Sequence, residues 1–113
     1  MKMEVSREGL VIVVEPQEAR LDALHAIGFK AELTRLVSAG EHQIVLDLRH
    51  VEFMDSSALA AMVVVWNRLH QGVLVAYGAR APVAALFKLT HLDRVIKLVA
   101  SREEALTAAR CTA

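Results

Sequence analysis

The change of hydrophobic period along the sequence restricts the fold of this chain more than any other feature. Short apolar runs, most of them rich in β-branched residues, occur at 10–14, 44–48, 73–77 and 95–98. Segments that we interpret as helices lie between them, at 21–37, 58–69 and 82–89. Strands that alternate with helices predict an α/β fold with a largely parallel sheet and right-handed crossovers.

The two ends of the chain add two further elements. Met3 and Val5 alternate with polar neighbours, as in a half-buried strand, and residues 6–9 favour a turn into the next strand. The first two strands therefore form an antiparallel hairpin at one edge of the sheet. Ser101 and Glu104 match the S-x-x-E capping box, which opens a final helix. The prediction is a mixed, mostly parallel sheet of about five strands with about four helices.

Hydrophobic side chains also predict which faces are buried. The second helix, at 58–69, is apolar on almost every side, so we expect it to be heavily buried, with Trp66 in the core. Met54 and Met62 are interpreted as packing residues. One face of the first helix carries an apolar stripe, formed by Ala26, Phe29, Leu33, Leu36 and Val37.

The length and the charge of the chain argue against several classes of protein, among them nucleic-acid binders and membrane-spanning proteins. A chain of 113 residues predicts a single domain over 1–113, because two halves would each be too small for a secure core. Thirteen Lys and Arg balance thirteen Asp and Glu, which argues against binding to nucleic acid. The longest apolar run, at 58–66, is too short to cross a membrane. The lone Cys111 can form no intrachain disulfide, and no signal peptide is visible, so we expect a cytoplasmic protein.

The segment Asp55-Ser56-Ser57, directly before the helix at 58–69, is the strongest candidate for function. Asp and Ser are preferred at helix starts, where outward-pointing N–H groups favour negative charge. A phosphate on a serine there would be tolerated within the molecule and would add about −1.5 to −2 charges at its surface. An ordinary helix cap explains the same residues and is the simpler interpretation. The two interpretations are compatible.

Other chemistries have little support. The five histidines and Cys111 show no metal-ligand spacing, and glycine motifs that bind phosphate are absent, so no cofactor is expected. An enzyme, for example a small hydrolase that uses Ser56, is a weaker hypothesis. Ser56 lacks G-x-S-x-G surroundings, and no sequence feature places a His–Asp pair against it.

Residues 45–59, VLDLRHVEFMDSSAL, resemble the signature of the STAS domain, named for sulfate transporters and anti-sigma factor antagonists. Residues 20–23 and 29–33 are similar to the L-D segment and first helix of that family. Residues 89–93 are similar to its L-T-G-L-D segment, and 101–106 to its closing helix. The resemblance extends over most of the chain and implies the STAS fold, in agreement with the predicted strand order.

The resemblance implies a regulator rather than a catalyst. Stand-alone bacterial STAS proteins are anti-sigma factor antagonists, which bind an anti-sigma factor that is also a serine kinase and so release a sigma factor. The kinase then phosphorylates the first serine after the motif aspartate, Ser56 here, and a metal-dependent serine phosphatase reverses this step. Matching positions imply that Asp22, Asp55, Ser56, Ser57 and Ala58 belong to the partner-binding surface.

Three positions depart from the family pattern. Ala58 replaces the Gly after D-S-S, His91 replaces the Gly of L-T-G-L, and the Gly before the L-D segment is missing, where Pro16 stiffens the loop. We expect the Ala58 methyl group to crowd a docked kinase. These departures motivate an alternative, a STAS scaffold that does not switch, in a transporter or a stress-signalling complex. The edge strand near Met3 also offers a route to a homodimer by strand pairing.

Overall fold

A five-stranded sheet organises the molecule. The structure is a computed structural model that describes residues 1–69 and 71–110. The strands are β1 (Met3–Glu8), β2 (Val11–Pro16), β3 (Arg20–Leu21), β4 (Gln43–Asp47), β5 (Phe53–Met54), β6 (Val73–Tyr77) and β7 (Lys97–Val99). The main sheet has the order β1-β2-β4-β6-β7, and β3 and β5 form a second, two-stranded sheet.

Helices cover the two faces of the main sheet unequally. The helices in the described residues are α1 (Ala23–Ser38), α2 (Ser56–Arg68), α3 (Ala81–Leu89) and α4 (Arg102–Arg110), and Leu92–Arg94 form one 3₁₀ turn. On one face, α1, α2 and α3 insert large side chains such as Phe29, Met62 and Phe87 into the main core. On the other face α4 packs through two alanines, Ala105 and Ala109, which allow a close approach to the strands.

The predicted fold class is confirmed. β1 and β2 pair antiparallel, whereas the pairs β2–β4, β4–β6 and β6–β7 are parallel. The hairpin turn differs in detail, because β1 continues to Glu8 and the turn lies at Gly9 and Leu10. Gly9 has φ +65°, which glycine adopts at little cost, and the Leu10 side chain is 78% exposed. Polar residues 6–8 are compatible with a strand because β1 is an exposed edge.

The first helix begins two residues later than the prediction of 21–37. Leu21 is fully buried in β3, and Asp22 is the N-cap of α1. The apolar stripe is otherwise confirmed, with Ala26, Phe29, Leu33 and Leu36 buried and Val37 partly buried. An N-cap has extended backbone geometry, so the Asp22 cap sets the helix boundary.

The last strand is shifted relative to the prediction of 95–98. The 3₁₀ turn occupies the preceding residues, and the Ile96 N–H donates to the Leu92 carbonyl (2.9 Å) instead of pairing with β6. Strand β7 therefore starts at Lys97. Ser101 caps α4 as the S-x-x-E pattern predicts, because the Glu104 N–H donates to Ser101 Oγ (3.2 Å). The Glu104 carboxylate accepts from the Ser101 hydroxyl (3.4 Å).

The second helix is less buried than expected, and the assignment of Trp66 to the core is wrong. Met62 and Val65 are fully buried, but Trp66 and Val63 are 37% and 38% exposed. The packing assignments of Met54 and Met62 are confirmed. Because α2 is apolar on almost every side, its sequence does not indicate which face is buried. The packing of α2 beside α1 determines that face.

A buried polar cluster closes the carboxyl end of the sheet. Asp47, at the end of β4, is 1% exposed and accepts hydrogen bonds from the Tyr77 hydroxyl (2.8 Å) and the Arg49 guanidinium (2.8–3.2 Å). Burial alone would raise the pKa of Asp47. The bonds from Arg49 and Tyr77 outweigh it, and the pKa of Asp47 lies below its ordinary value. Burial and the acceptor role of Asp47 raise the pKa of Tyr77, so its hydroxyl remains a donor.

No helix in the described part of the chain is long and apolar enough to cross a membrane. His70 and Cys111, which entered the expectations about metal binding and disulfides, lie outside the described residues.

Asp47→Asn should lower the free energy of unfolding at neutral pH by about 2 kcal/mol, because Arg49 and Tyr77 lose their charged acceptor. The low pKa of Asp47 in the folded state adds stability above the unfolded-state pKa of about 4. That stability is lost as pH falls through the folded-state pKa. Urea unfolding from pH 7 to acid should therefore show a shallower loss for Asp47→Asn than for wild type. Glu52→Gln, at an exposed carboxylate, serves as control. Equal pH slopes in wild type and Asp47→Asn would contradict this role.

His91→Gly should stabilise the fold by about 0.5–1 kcal/mol. His91 has φ +60° before the 3₁₀ turn, a left-handed conformation that favours glycine, and its side chain is exposed. Thermal unfolding of wild type and variant measures the difference. An unchanged or lower Tm would show that the His91 side chain offsets its backbone strain.

Candidate functional site

The two-stranded sheet brings two helix starts together. Arg20 pairs with Phe53 and Leu21 with Met54, in parallel register. The N–H groups of Glu52 and Phe53 both donate to the Ala19 carbonyl, at 2.7 and 3.1 Å. Because β3 leads into α1 and β5 leads into α2, this short pairing places the N-termini of the two helices side by side.

The carboxylate of Asp55 connects these two helix starts. Its Oδ1 accepts the N–H groups of Ser57 (2.9 Å) and Ala58 (3.4 Å) and so caps α2. Its Oδ2 accepts the N–H of Ala23 (3.1 Å), the first residue of α1. The Asp55 N–H donates to the Leu21 carbonyl (3.2 Å), so its backbone is held as well. Asp55 therefore has a structural role in addition to its place in the motif.

Asp22 performs the same capping role for α1. Its Oδ1 accepts the N–H groups of Leu24 (3.1 Å) and His25 (3.4 Å) and contacts His25 Nδ1 (3.0 Å). Partial desolvation would raise the pKa of Asp22, but the hydrogen bonds from His25 and Leu24 hold that pKa below its ordinary value. Arg20 Nε lies 3.6 Å from Asp22 Oδ2 and forms an ion pair with it. The Cζ atom of Arg20 lies 4.3 Å from the centroid of the Phe53 ring.

Ser56 occupies the first position of α2 and is exposed. Ser57 is partly buried, and its N–H is bound by Asp55. Ala58 is completely buried. The expectation that the Ala58 methyl group meets a docked partner therefore does not fit the structure, because that group packs into the core. Of the five motif and loop residues, Asp22, Asp55, Ser56 and Ser57 reach the surface.

An apolar groove begins beside these residues. It lies between α1 and α2, has a volume of about 220 Å³, and is lined by residues that include Ile27, Ser57, Ala60 and Val64. Leu24 and Ile27, on the solvent side of α1, are 82% and 79% exposed. A larger groove of about 710 Å³ lies on the other face of the sheet, between β6, β7 and α4, away from the motif.

Sequence reasoning missed three features of this site. The two-residue strands β3 and β5 are too short to show a period, and the bond from Ala23 to Asp55 joins residues 32 positions apart. The exposed apolar pair on α1, Leu24 and Ile27, can be recognised in the sequence. The helical spacing places both residues outside the stripe that contains Ala26 and Phe29, and therefore on the solvent face.

The site offers hydroxyl and carboxylate groups at the starts of two helices. No group of three or more His, Cys, Asp and Glu side chains that could hold a metal ion occurs among residues 1–69 and 71–110. An exposed hydroxyl that directly follows the capping Asp55, with an apolar groove that starts at the next residue, Ser57, suits contact with another protein. Any charge added at Ser56 would change that contact directly.

Comparisons with known proteins agree with this architecture. The Bordetella bronchiseptica protein named "Putative anti-sigma factor antagonist BtrV" is 29% identical over 90 residues, which cover 78% of this chain and 78% of that protein. The structure of an anti-sigma factor antagonist from Mycobacterium paratuberculosis is similar with a TM-score of 0.88 and 26% identity, covering 96% of this chain and 93% of that one. An anti-sigma-factor antagonist (STAS) domain protein from Planctomyces limnophilus gives a TM-score of 0.81 and 26% identity, over 95% and 96%. The STAS domain family model matches residues 2–105, and the chain therefore belongs to the STAS domain family.

Proposed function

We propose that this chain is an anti-sigma factor antagonist switched by phosphorylation of Ser56. The unphosphorylated protein binds an anti-sigma factor that is also a serine kinase, and the sigma factor is released. Phosphorylation of Ser56 by that kinase separates the pair, and a serine phosphatase restores the binding form. Membership of the STAS family and the names of the relatives support this function.

The exposure of Ser56 at the first position of α2 carries the proposal. A kinase has to reach the hydroxyl without unfolding its substrate, and Ser56 is accessible in the folded chain. Ser57 is a poorer acceptor because it is partly buried, whereas Ser56 is exposed. The chain itself acts as phosphoacceptor, so ATP and its metal ion belong to the kinase.

The partner-binding surface extends from Ser56 along α1 and α2. Leu24 and Ile27 are largely exposed on α1, and Ile27 also lines the groove. Burial of apolar area is the main favourable contribution to protein association. Asp22 lies at the same end of α1 and adds a carboxylate for a basic group of the partner. Ala58 lies below this surface and contributes through packing alone.

A phosphate at Ser56 would act through charge rather than refolding. It adds about −1.5 to −2 charges directly after the Asp55 carboxylate at the start of α2. The N–H groups of Ser57 and Ala58 are already bound by Asp55, so the capped helix start can remain intact. A partner that matches the unphosphorylated surface then has to desolvate a dianion or face repulsion from its own acidic groups.

Incubation with ATP and a lysate of the source organism should place one phosphate on Ser56, read by intact-protein and fragment mass spectrometry. Ser56→Ala should abolish the phosphate and Ser57→Ala should retain it, since Ser57 is less accessible. Ser56→Asp should weaken binding to the purified kinase at least about tenfold through its added charge. Unmodified Ser56 under conditions that phosphorylate another STAS protein of that organism would contradict the switch and favour the non-switching scaffold.

Ile27→Asp should weaken kinase binding at least about tenfold, because it places a charge in the apolar part of the proposed surface. Leu10→Asp is a matched control, since Leu10 is exposed to nearly the same extent (78% against 79%) but lies in the β1–β2 turn. Calorimetry or surface plasmon resonance would measure the affinity of each variant for the kinase. Equal affinities of the two variants would show that the partner binds elsewhere.

A further inference from the structure

The main sheet has two edges that differ in their capacity to pair. β7 has three residues and begins with the exposed Lys97, features that protect an edge from pairing. β1 has six residues, contains no proline, and is exposed from Glu4 to Glu8. In the described part of the chain no strand pairs with the outer side of β1.

Alternate residues of β1 present free backbone groups at this edge. The Gln17 N–H donates to the Lys2 carbonyl (2.9 Å), and the register with β2 places Glu4 opposite Glu15 and Glu8 opposite Val11. Antiparallel hydrogen bonds alternate along a strand, so the even-numbered residues of β1 bond to β2. The N–H and carbonyl groups of Met3, Val5 and Arg7 therefore point away from the sheet.

We propose that two copies of this chain pair through β1, antiparallel, with Val5 opposite Val5. In this register Met3 of each copy lies opposite Arg7 of the other. All three outward-facing residues of each strand then bond to outward-facing residues of its partner. The two five-stranded sheets become one continuous sheet around a two-fold axis. This interface goes beyond the proposed switch and uses no residue of the surface around Ser56.

Charge selects this register over its neighbours. With Val5 at the centre, Lys2 lies opposite Glu8 and Glu4 opposite Ser6, so no like charges meet. A shift of two residues one way places Glu4 opposite Glu8, and the opposite shift places Glu4 opposite its own copy. A shift of one residue would mismatch the outward-facing groups and the faces of the strands.

The charges on β1 are partly neutralised within each copy. Arg7 forms an ion pair with Glu41. Glu8 forms a second ion pair, in which its Oε1 lies 3.3 Å from Arg102 Nη2. Exposed charges usually keep an edge strand from associating. Here the ion pairs within each copy and the complementary register reduce the charge repulsion between two β1 edges. Val5, which is 40% exposed, supplies an apolar contact at the two-fold axis.

Sedimentation velocity over concentrations up to about 1 mM should show a monomer–dimer equilibrium for the wild-type chain. Val5→Pro should weaken the dimer at least about tenfold, because it removes two intermolecular donors while leaving the β1–β2 bonds intact. Val5→Lys should weaken it similarly by placing two lysines face to face. Val63→Lys is the control, since Val63 is exposed to nearly the same extent (38% against 40%) but lies on α2. A wild-type chain that stays monomeric over this range would overturn the proposal, as would an unchanged dimer in both Val5 variants.

Cysteine cross-linking in a Cys111→Ser background tests the register independently of stability. Val5→Cys should form a disulfide-linked dimer on oxidation, because opposite residues have Cα atoms about 5.5 Å apart. Met3→Cys and Arg7→Cys should cross-link only when the two variants are mixed, since like residues would lie about 14 Å apart. Cross-linking of either variant alone, or none in the mixture, would exclude this register. Circular dichroism of each variant confirms that the fold is retained.

Discussion

One carboxylate holds the two helix starts of this molecule together. The first N–H groups of an α-helix have no acceptor within the helix, so each helix start needs an external one. Asp55 supplies it for both helices, with Oδ1 for α2 and Oδ2 for the Ala23 N–H of α1. The two-residue strands β3 and β5 align the chain for this contact but contribute few bonds of their own. The position of Ser56, and the groove beside it, follow from that double cap.

The buried cluster around Asp47 anchors the end of β4, from which the chain continues to β5 and the Asp55 cap. β4 ends at Asp47, and the segment that follows is held at the Leu48 N–H by the Tyr77 carbonyl (3.0 Å) and by the fully buried Val51. The chain therefore enters β5 and the Asp55 cap from an anchored strand end. A rigid support of this kind lets a charge at the surface alter partner binding without a change of fold. The proposed phosphate at Ser56 depends on this property.

Departures from the family pattern have separate physical consequences in the structure. Ala58 lies inside the core, where a methyl group is accommodated at the start of α2. His91 has a left-handed backbone (φ +60°), a conformation that a glycine would adopt more easily. Neither of these two departures covers Ser56, which is exposed at the first position of α2.

The sequence by itself determined the α/β class, the hairpin, the capping of α2 and the position of the D-S-S motif, because these depend on local periodicity and on residues adjacent in the chain. Only the tertiary structure decided that Trp66 is exposed, that Ala58 is buried, and that Asp55 reaches Ala23 in another helix. An amphipathic stripe such as that of α1 records its orientation in the sequence, whereas the nearly uniform α2 does not. Contacts between distant residues depend on how helices and strands pack, and packing is a property of the whole fold.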